Sequence, residues 1–184
     1  MGNKSLHSLA EALVQGDELK ALEKLRALET KYGKQVDPSK DISSSRSSKF
    51  FGTTLLHCAC LSGFQNAISA FVQRGANLSL LNASGESVLH CLCGGGASSM
   101  SDTGKAGKPD QPRLASLLFL LKLDFDDSII NCTDGQGRTA LHHAARKGRA
   151  EMCKTSQMSK MCKTSQMAKI LALDQPKEMF GAKT

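Results

Sequence analysis

The sequence is poor in aromatic side chains and has no long apolar run. Aromatic residues make up 4% of the 184 positions, with one Tyr and no Trp, which argues against a core built from bulky rings. The longest mostly apolar stretch, residues 114–121, is far shorter than the ~20 residues needed to cross a bilayer. The start of the chain also lacks the apolar segment of a secretory signal. We therefore expect a cytoplasmic protein of small, closely packed elements.

Basic residues outnumber acidic residues, but they are scattered along the chain. The net charge is +7 and the isoelectric point is about 9.1, which attracts acidic partners over long range. No basic helix interleaved with aromatic residues is found in the sequence, so we expect no nucleic-acid partner. We expect the seven cysteines to be small buried hydrophobic residues in a reducing compartment.

One motif occurs three times and sets the organisation of the chain. The first copy spans 52–63, the second 85–93 and the third 137–148. Each copy contains a Leu-His pair, and His90 follows His57 by 33 positions, which is the period of a known class of repeats. His142 follows His90 by 52 positions, so the second repeat must carry an insertion of about 19 residues.

The residues of these motifs define the repeat more closely. The third copy has the pattern Asp134, Gly137, Thr139, Leu141, His142, Ala144, Ala145 and Gly148. This pattern resembles the ankyrin repeat. The resemblance implies an all-α, ankyrin-repeat α-solenoid of helix-turn-helix repeats joined by short β-hairpin fingers, here with loop insertions. It also implies a non-catalytic scaffold that binds a protein partner and needs no cofactor or metal.

Composition and helical periodicity divide the chain into six segments. Apolar residues recur at spacings of three and four on both sides of Gly16, and three glycines interrupt the second repeat at 94–96. We predict a degenerate N-terminal repeat or cap over 1–32, a Ser/Lys/Arg-rich loop over 33–49, an ankyrin repeat over 50–84, a second over 85–136 with a flexible insertion at about 94–113, a third over 137–174 with a duplicated insertion at about 153–167, and a tail over 175–184.

The third repeat contains two nearly identical units, 152–160 and 161–169, which differ only at Ser159 and Ala168. Skipping 153–167 would leave an ordinary second ankyrin helix, which favours an insert that loops out. An extended amphipathic helix is the alternative, although the methionines of the two units do not share one helical face.

Each unit also contains a cysteine beside a lysine, Cys153 and Cys162. A neighbouring positive charge lowers a thiol pKa. This leaves an exposed, oxidisable cysteine open as an interpretation.

Two His-Cys-x-Cys groups, beginning at His57 and His90, resemble a set of zinc ligands. Residues two apart on a helix point to opposed sides, and the third copy has Ala145 in place of the second cysteine. We therefore expect buried thiols and no metal site. The ankyrin resemblance implies that His57, His90 and His142 each make a structural hydrogen bond near a helix start.

The resemblance places partner contacts on the finger tips and the inner helices. Arg138 is the strongest candidate for an anchor, because arginine is enriched at binding hot spots. The predicted partner-binding residues are Leu80, Leu81, Asn82, Ser84, Glu86, Thr133, Asp134, Gln136, Arg138, Arg146 and Lys147.

Two features leave open a membrane-associated regulator, N-acylated or recruited by a small GTPase, as an alternative. Gly2 begins a sequence close to an N-myristoylation signal, with Leu6 where Ser or Thr is expected, so membrane contact would be at most peripheral. Residues 1–95 are similar in layout to the N-terminal ankyrin segment of oxysterol-binding-protein-related lipid-transfer proteins, since a degenerate first repeat precedes a loop rich in Ser and basic residues. That resemblance implies a small GTPase as the partner.

Overall fold

The computed structural model describes residues 3–33, 35–43, 48–95, 111–123 and 127–154. The chain is helical across these ranges, which confirms the predicted all-α class. The helices are α1 (Asn3–Val14), α2 (Glu18–Tyr32), α3 (Leu55–Ser62), α4 (Gln65–Gln73), α5 (Val88–Gly94), α6 (Gln111–Leu121), α7 (Asp127–Ile130), α8 (Ala140–Arg146) and α9 (Ala150–Lys154).

Eight of the nine described helices form four pairs arranged in two layers. The pairs are α1 with α2, α3 with α4, α5 with α6, and α8 with α9. The first helices pack side by side in the order α1, α3, α5, α8, and the second helices follow in the order α2, α4, α6, α9. Because neighbouring pairs cover one another's apolar faces, the core is continuous along the stack, as in a solenoid.

The first pair, α1 and α2, is closed by short polar contacts. The Asp17 side chain accepts a hydrogen bond of 2.9 Å from the Lys20 backbone and so caps the start of α2. Gly33, with φ of 62°, ends that helix in the left-handed conformation. Lys24 Nζ reaches back to α1 and donates to Ser8 Oγ at 2.7 Å, which fixes one helix against the other.

Two acidic side chains of α2 attach it to α4. Glu18 Oε1 accepts a hydrogen bond of 3.0 Å from the Ala67 backbone N–H, near the start of α4, where a negative charge is favoured. Glu29 receives both Nε and Nη2 of Arg74 at 2.7 and 2.9 Å. The Arg74 hydrogen bond is the main reason that the pKa of Glu29 is lowered.

The core is aliphatic and rich in thiols. Phe71 is its largest fully buried side chain, in keeping with the low aromatic content. Residues 55–60 of α3 and 88–93 of α5 are buried without exception, because each of these helices lies between two others. A helix enclosed in this way has no polar face, which explains why both sequences are apolar all round.

The fingers that join the repeats are tight turns. In the first finger Gly85 N–H donates to Asn82 O at 2.9 Å, and Asn82 N–H donates to Glu86 O at 2.9 Å. Asp134, Gly137 and Arg138 make the same two bonds in the next finger. Only isolated bridges are found in the described ranges, between 41 and 54 and between 43 and 51, so the fingers have hairpin turns without strands.

Two arginines attach the second helices to the ends of the first helices. Arg113, in the first turn of α6, donates to the carbonyls of Cys60, Leu61 and Leu92 at 3.2, 2.8 and 3.3 Å. Arg149, just before α9, donates to the carbonyls of Leu92, Cys93 and Gly95. The last carbonyls of a helix lack partners within it, so each guanidinium satisfies groups that would otherwise be unpaired.

These contacts bear on the two predicted insertions. Helix α6 begins at Gln111, inside the range 94–113, and Arg113 holds its start against the preceding repeat. Helix α9 includes Cys153, inside the range 153–167, and buries it to 5% exposure. Burial of this thiol contradicts the interpretation of Cys153 as an exposed, oxidisable cysteine, while Cys162 lies outside the described residues.

Candidate interaction surface

Each repeat motif begins with a hydroxyl–imidazole hydrogen bond. Thr54 Oγ1 lies 2.8 Å from His57 Nδ1, Ser87 Oγ lies 2.8 Å from His90 Nδ1, and Thr139 Oγ1 lies 2.8 Å from His142 Nδ1. The hydroxyl residue is the N-cap of α3, α5 and α8 in turn. The predicted structural role of these three histidines is therefore confirmed, and each imidazole stabilises a helix start.

The second nitrogen of the imidazole reaches the next repeat. His90 Nε2 lies 2.9 Å from the Arg138 carbonyl oxygen, and so links α5 to the following finger. His57 Nε2 has no hydrogen-bond partner in the described structure, although the Glu86 and Leu80 carbonyls are near enough to affect its pKa. Burial lowers the pKa of both His57 and His90, which keeps both rings neutral.

The cysteines of the two His-Cys-x-Cys groups are buried in the core. Cys58 and Cys91 are 1% and 4% exposed, and Cys60 and Cys93 are fully buried. Burial raises the pKa of Cys58 and of Cys93 to about 12. A thiol in this environment stays protonated and is a poor nucleophile or metal ligand, which agrees with the expectation of buried hydrophobic thiols.

Each finger contains a side-chain pair at equivalent positions, and the two pairs differ in charge. Asn82 Oδ1 accepts backbone hydrogen bonds from Ser84 and Glu86 at 2.9 Å, and its amide donates to Glu86 Oε2 at 2.8 Å. In the next finger Asp134 Oδ1 accepts from the backbone of Gln136 and Arg138, also at 2.9 Å. The same turn is therefore closed by an Asn–Glu pair in one finger and an Asp–Arg pair in the other.

Asp134 is the most heavily bonded side chain of the second finger. Its Oδ2 accepts from Arg138 Nε at 2.9 Å and Nη2 at 2.8 Å, and lies 2.9 Å from His143 Nε2. Burial alone would raise the pKa of Asp134, but the hydrogen bonds from Arg138, His143 and Gln136 outweigh burial and hold that pKa well below its usual range. The carboxylate is ionised throughout the neutral range.

The two fingers are also joined to each other. The Gly135 backbone N–H donates to the Ser84 carbonyl at 2.9 Å. In the same two repeats the rings of His90 and His143 meet edge to face, with centroids 5.4 Å apart. The hydrogen bonds of Asp134 thus stabilise the junction between two repeats as well as the turn.

Three side chains at this junction have the composition of a metal site. Ligand atoms of Glu86, Asp134 and His143 lie within 4.8 Å of one another. However, Asp134 Oδ2 already receives the Arg138 guanidinium and faces His143, and Glu86 holds the Asn82 amide. A cation would have to displace these bonds beside a fixed positive charge, so the geometry fits an internal network better than a metal site.

The structure divides the eleven predicted contact residues by exposure. Leu80, Asn82, Glu86 and Arg138 are half-buried, and Leu81, Ser84, Thr133, Gln136, Arg146 and Lys147 are exposed. Asp134 is buried, with 5% of its surface exposed. We correct the prediction for Asp134, because its carboxylate is engaged in internal hydrogen bonds. Asn82 and Arg138 have internal roles as well, and Gly2 lies outside the described residues.

Sequence reasoning missed Arg113, Arg149 and His143 as members of this architecture. Arg149 follows the turn glycine Gly148, and Arg113 occupies the equivalent place at the start of α6. That shared position was a usable signal, but the insertion before α6 concealed it. His143 gave no signal, because the equivalent positions in the other motifs are cysteines.

Repeated helix pairs, capping histidines and turn fingers define a helical repeat protein, and comparison with protein families agrees. The family model described as "Ankyrin repeat" matches residues 51–83, and that described as "Ankyrin repeats (many copies)" matches residues 106–155. The chain therefore contains ankyrin repeats over both of these ranges. A search of curated proteins gave no match. Ankyrin repeats are generally protein–protein interaction modules, and the family is typically non-catalytic. None of the described helices has both the length and the apolarity of a membrane span.

Proposed function

We propose that this protein is a non-catalytic adaptor that binds a protein partner through its finger tips and the exposed end of α8. The surface comprises Leu81, Ser84, Thr133, Gln136, Arg138, Arg146 and Lys147, and it includes half-buried Leu80, Asn82 and Glu86 of the first finger. A cytoplasmic location is part of the proposal, because buried thiols suit a reducing compartment.

One contrast supports this proposal. The motif groups with acid–base or nucleophilic chemistry serve the interior of the fold: His57, His90 and His143 are buried, half-buried His142 is bonded to the N-cap residue Thr139, Cys58 and Cys93 have raised pKa values, and Asp134 is fully hydrogen-bonded. The side chains on the finger tips are exposed instead. Rigid turns that present exposed side chains are suited to recognition, because little conformational entropy is lost on binding.

Site-specific photo-cross-linking in cells tests the proposal. A photoreactive amino acid replaces Gln136 on the second finger, and in a matched control it replaces Gln73, which is exposed at the end of α4. We expect protein adducts from position 136 and few from position 73. Equal adducts from both positions, or none from position 136, would contradict the assignment of the surface.

A membrane-associated regulator recruited by a small GTPase remains the alternative proposal. The same experiment separates it from the adaptor, because a GTPase adduct would be identified by mass. The intact mass of the protein from cells would show whether Gly2 carries an acyl chain.

A further inference from the structure

The last turns of the first helices form a row of side chains that changes from apolar to basic. Leu61, Gly94 and Arg146 each lie four positions after the motif histidine of their repeat. Val14 is in the matching place in the first pair, since it precedes Gly16 by two positions as Leu61 precedes Gly63. We name these residues, together with Lys147, the end row.

Contacts between neighbouring helices show that the end row is continuous. Ser62 Oγ donates to the Leu13 carbonyl at 2.7 Å, which joins the ends of α1 and α3. The Gly95 backbone packs directly on the Leu61 carbonyl, and a Cβ placed on Gly94 would lie 2.5 Å from His143 Nδ1. The end of α5 therefore contacts the end of α3 through backbone and contacts α8 through the His143 side chain, with no room for a side chain at Gly94 or Gly95.

The chemistry of the end row differs from one end to the other. Val14 and Leu61 are each 41% exposed, and no side chain rises from Gly94 or Gly95. Arg146 and Lys147 are exposed and form no ion pair within the described part of the chain. Single exposed apolar residues are ordinary on protein surfaces. Here two occupy equivalent, neighbouring positions that lead to the two cations, Arg146 and Lys147.

We infer that the end row binds a segment of a partner protein that carries an apolar side chain and, further along, acidic side chains. The inference rests on the proposed function, and it names the chemistry of the partner. Charge complementarity to Arg146 and Lys147 in a chain of net charge +7 selects the acidic part. The exposed surfaces of Val14 and Leu61 select the apolar part.

Helix spacing sets the distance between the two parts of the segment. Packed helices lie about 8–10 Å apart. Leu61 of α3 and Arg146 of α8 are separated by two such spacings, from α3 to α5 and from α5 to α8, which together cover about 16–20 Å. An extended peptide rises about 3.3 Å per residue, which places the apolar and acidic residues about five or six positions apart. An anionic membrane is the weaker fit, because two basic residues add little affinity for its surface.

Selection of displayed random peptides on the purified full-length protein tests the inference. We expect the selected peptides to share an apolar residue and an acidic pair at about that spacing. A selected peptide is then titrated by fluorescence anisotropy against R146E/K147E and against K20E/R26E. The second variant reverses two exposed basic residues on α2 and so changes the net charge by the same amount.

We expect R146E/K147E to weaken binding about tenfold and K20E/R26E to change it less than about twofold. Replacing the acidic residues of the peptide by lysine should restore binding to R146E/K147E alone. Leu61→Ala should weaken binding without changing its salt dependence, because it removes apolar contact and no charge.

Three outcomes would overturn the inference. They are peptides without acidic residues, equal effects of the two charge reversals, and failure to select any peptide. Binding to phosphatidylserine vesicles as tight as binding to the selected peptide would assign the end row to a membrane instead. A dimer that R146E/K147E abolishes would assign it to a second copy of the chain. Adducts at position 136 in cells together with a failed selection would leave the proposed function standing without this partner chemistry.

Discussion

Exchanging the side-chain pair of one finger for that of the other tests how the junction between repeats is stabilised. Asp134 and Arg138 occupy the places that Asn82 and Glu86 occupy one repeat earlier. The double variant D134N/R138E would therefore install a pair that already closes the same turn elsewhere in the chain. Comparison with the two single variants makes a double-mutant cycle.

The structure sets the size of each effect. Asp134→Asn removes a charge that accepts two hydrogen bonds from Arg138 and faces His143 at 2.9 Å. Hydrogen bonds to charged groups contribute about 1.5–3 kcal/mol each, but the Arg138 side chain is 30% exposed and can turn to water. We expect D134N to lower the free energy of unfolding by about 2–3 kcal/mol.

Arg138→Glu alone places a second carboxylate beside one whose side chain is 1% exposed, so we expect a loss of about 3–4 kcal/mol. In the double variant the Asn–Glu hydrogen bond replaces this repulsion. The double variant should therefore lose about 2 kcal/mol less than the sum of the single variants. The recovery is incomplete because His143 still lacks the Asp134 carboxylate.

Urea unfolding followed by circular dichroism measures these differences. With slopes of about 1–3 kcal/mol per molar urea, D134N should lower the midpoint by about 1 M. The reciprocal exchange N82D/E86R is the matched control, and it should likewise lose less stability than the sum of N82D and E86R. Strict additivity in both cycles would refute the view that these pairs act as interchangeable units.

Four further perturbations probe single contacts of the described structure. Gly63 and Gly75 both have φ of +77°, but an added Cβ would meet Arg113 only at Gly63, at 2.5 Å from its Cγ. Gly75→Ala should lower the free energy of unfolding by about 1–2 kcal/mol, and Gly63→Ala should lower it by about 1–3 kcal/mol more. Equal losses of stability in thermal unfolding would contradict the Arg113 contact. Burial lowers the pKa of His57 and His90, so the unfolded chain binds more protons than the folded chain below about pH 6.5. The urea midpoint should therefore decrease as the pH is lowered from about 7 to 5, and it should decrease less in H90Q. A midpoint that does not change with pH would count against neutral buried rings. The pKa of Glu29 is lowered chiefly by its Arg74 hydrogen bond. This pair therefore stabilises the fold above the unfolded pKa of about 4.3, and its contribution is lost as the pH falls through the lower pKa of the folded state. Urea unfolding should show that Arg74→Gln costs about 1 kcal/mol near neutral pH and less in acid. In the folded protein, Cys58 and Cys93 should resist a thiol reagent that labels half-buried Cys132, because a pKa of about 12 leaves almost no thiolate. Labelling of all three cysteines at comparable rates, measured by mass spectrometry, would be inconsistent with the buried positions.

The sequence was sufficient for features that each repeat determines locally. The spacing of His57 and His90, the Gly that ends each first helix and the Thr or Ser three positions before the histidine all act within one turn. The ankyrin resemblance, which rests on this local motif, implied the structural hydrogen bonds of the histidines. The exposure of Ser84 and Gln136 could be predicted too, because both lie at the tip of a turn.

Contacts between repeats were beyond the reach of the sequence. Asp134 was predicted to face a partner, because the ankyrin resemblance places contacts on the fingers. Only the packing of α8 against the finger brings His143 and Arg138 to its carboxylate. Arg113 is a buried cation whose partners, Cys60 and Leu61, lie more than 50 positions earlier in the chain. No local pattern encodes such a distance.

The sequence by itself determined the repeat, its helix starts and ends, and the thiol-rich character of the core, since period, capping and polarity are properties of neighbouring residues. Tertiary structure alone decided which polar side chains serve the junctions and which stay exposed. It also decided that Val14, Leu61 and Arg146 form one row, because stacking brings together positions that the chain keeps far apart.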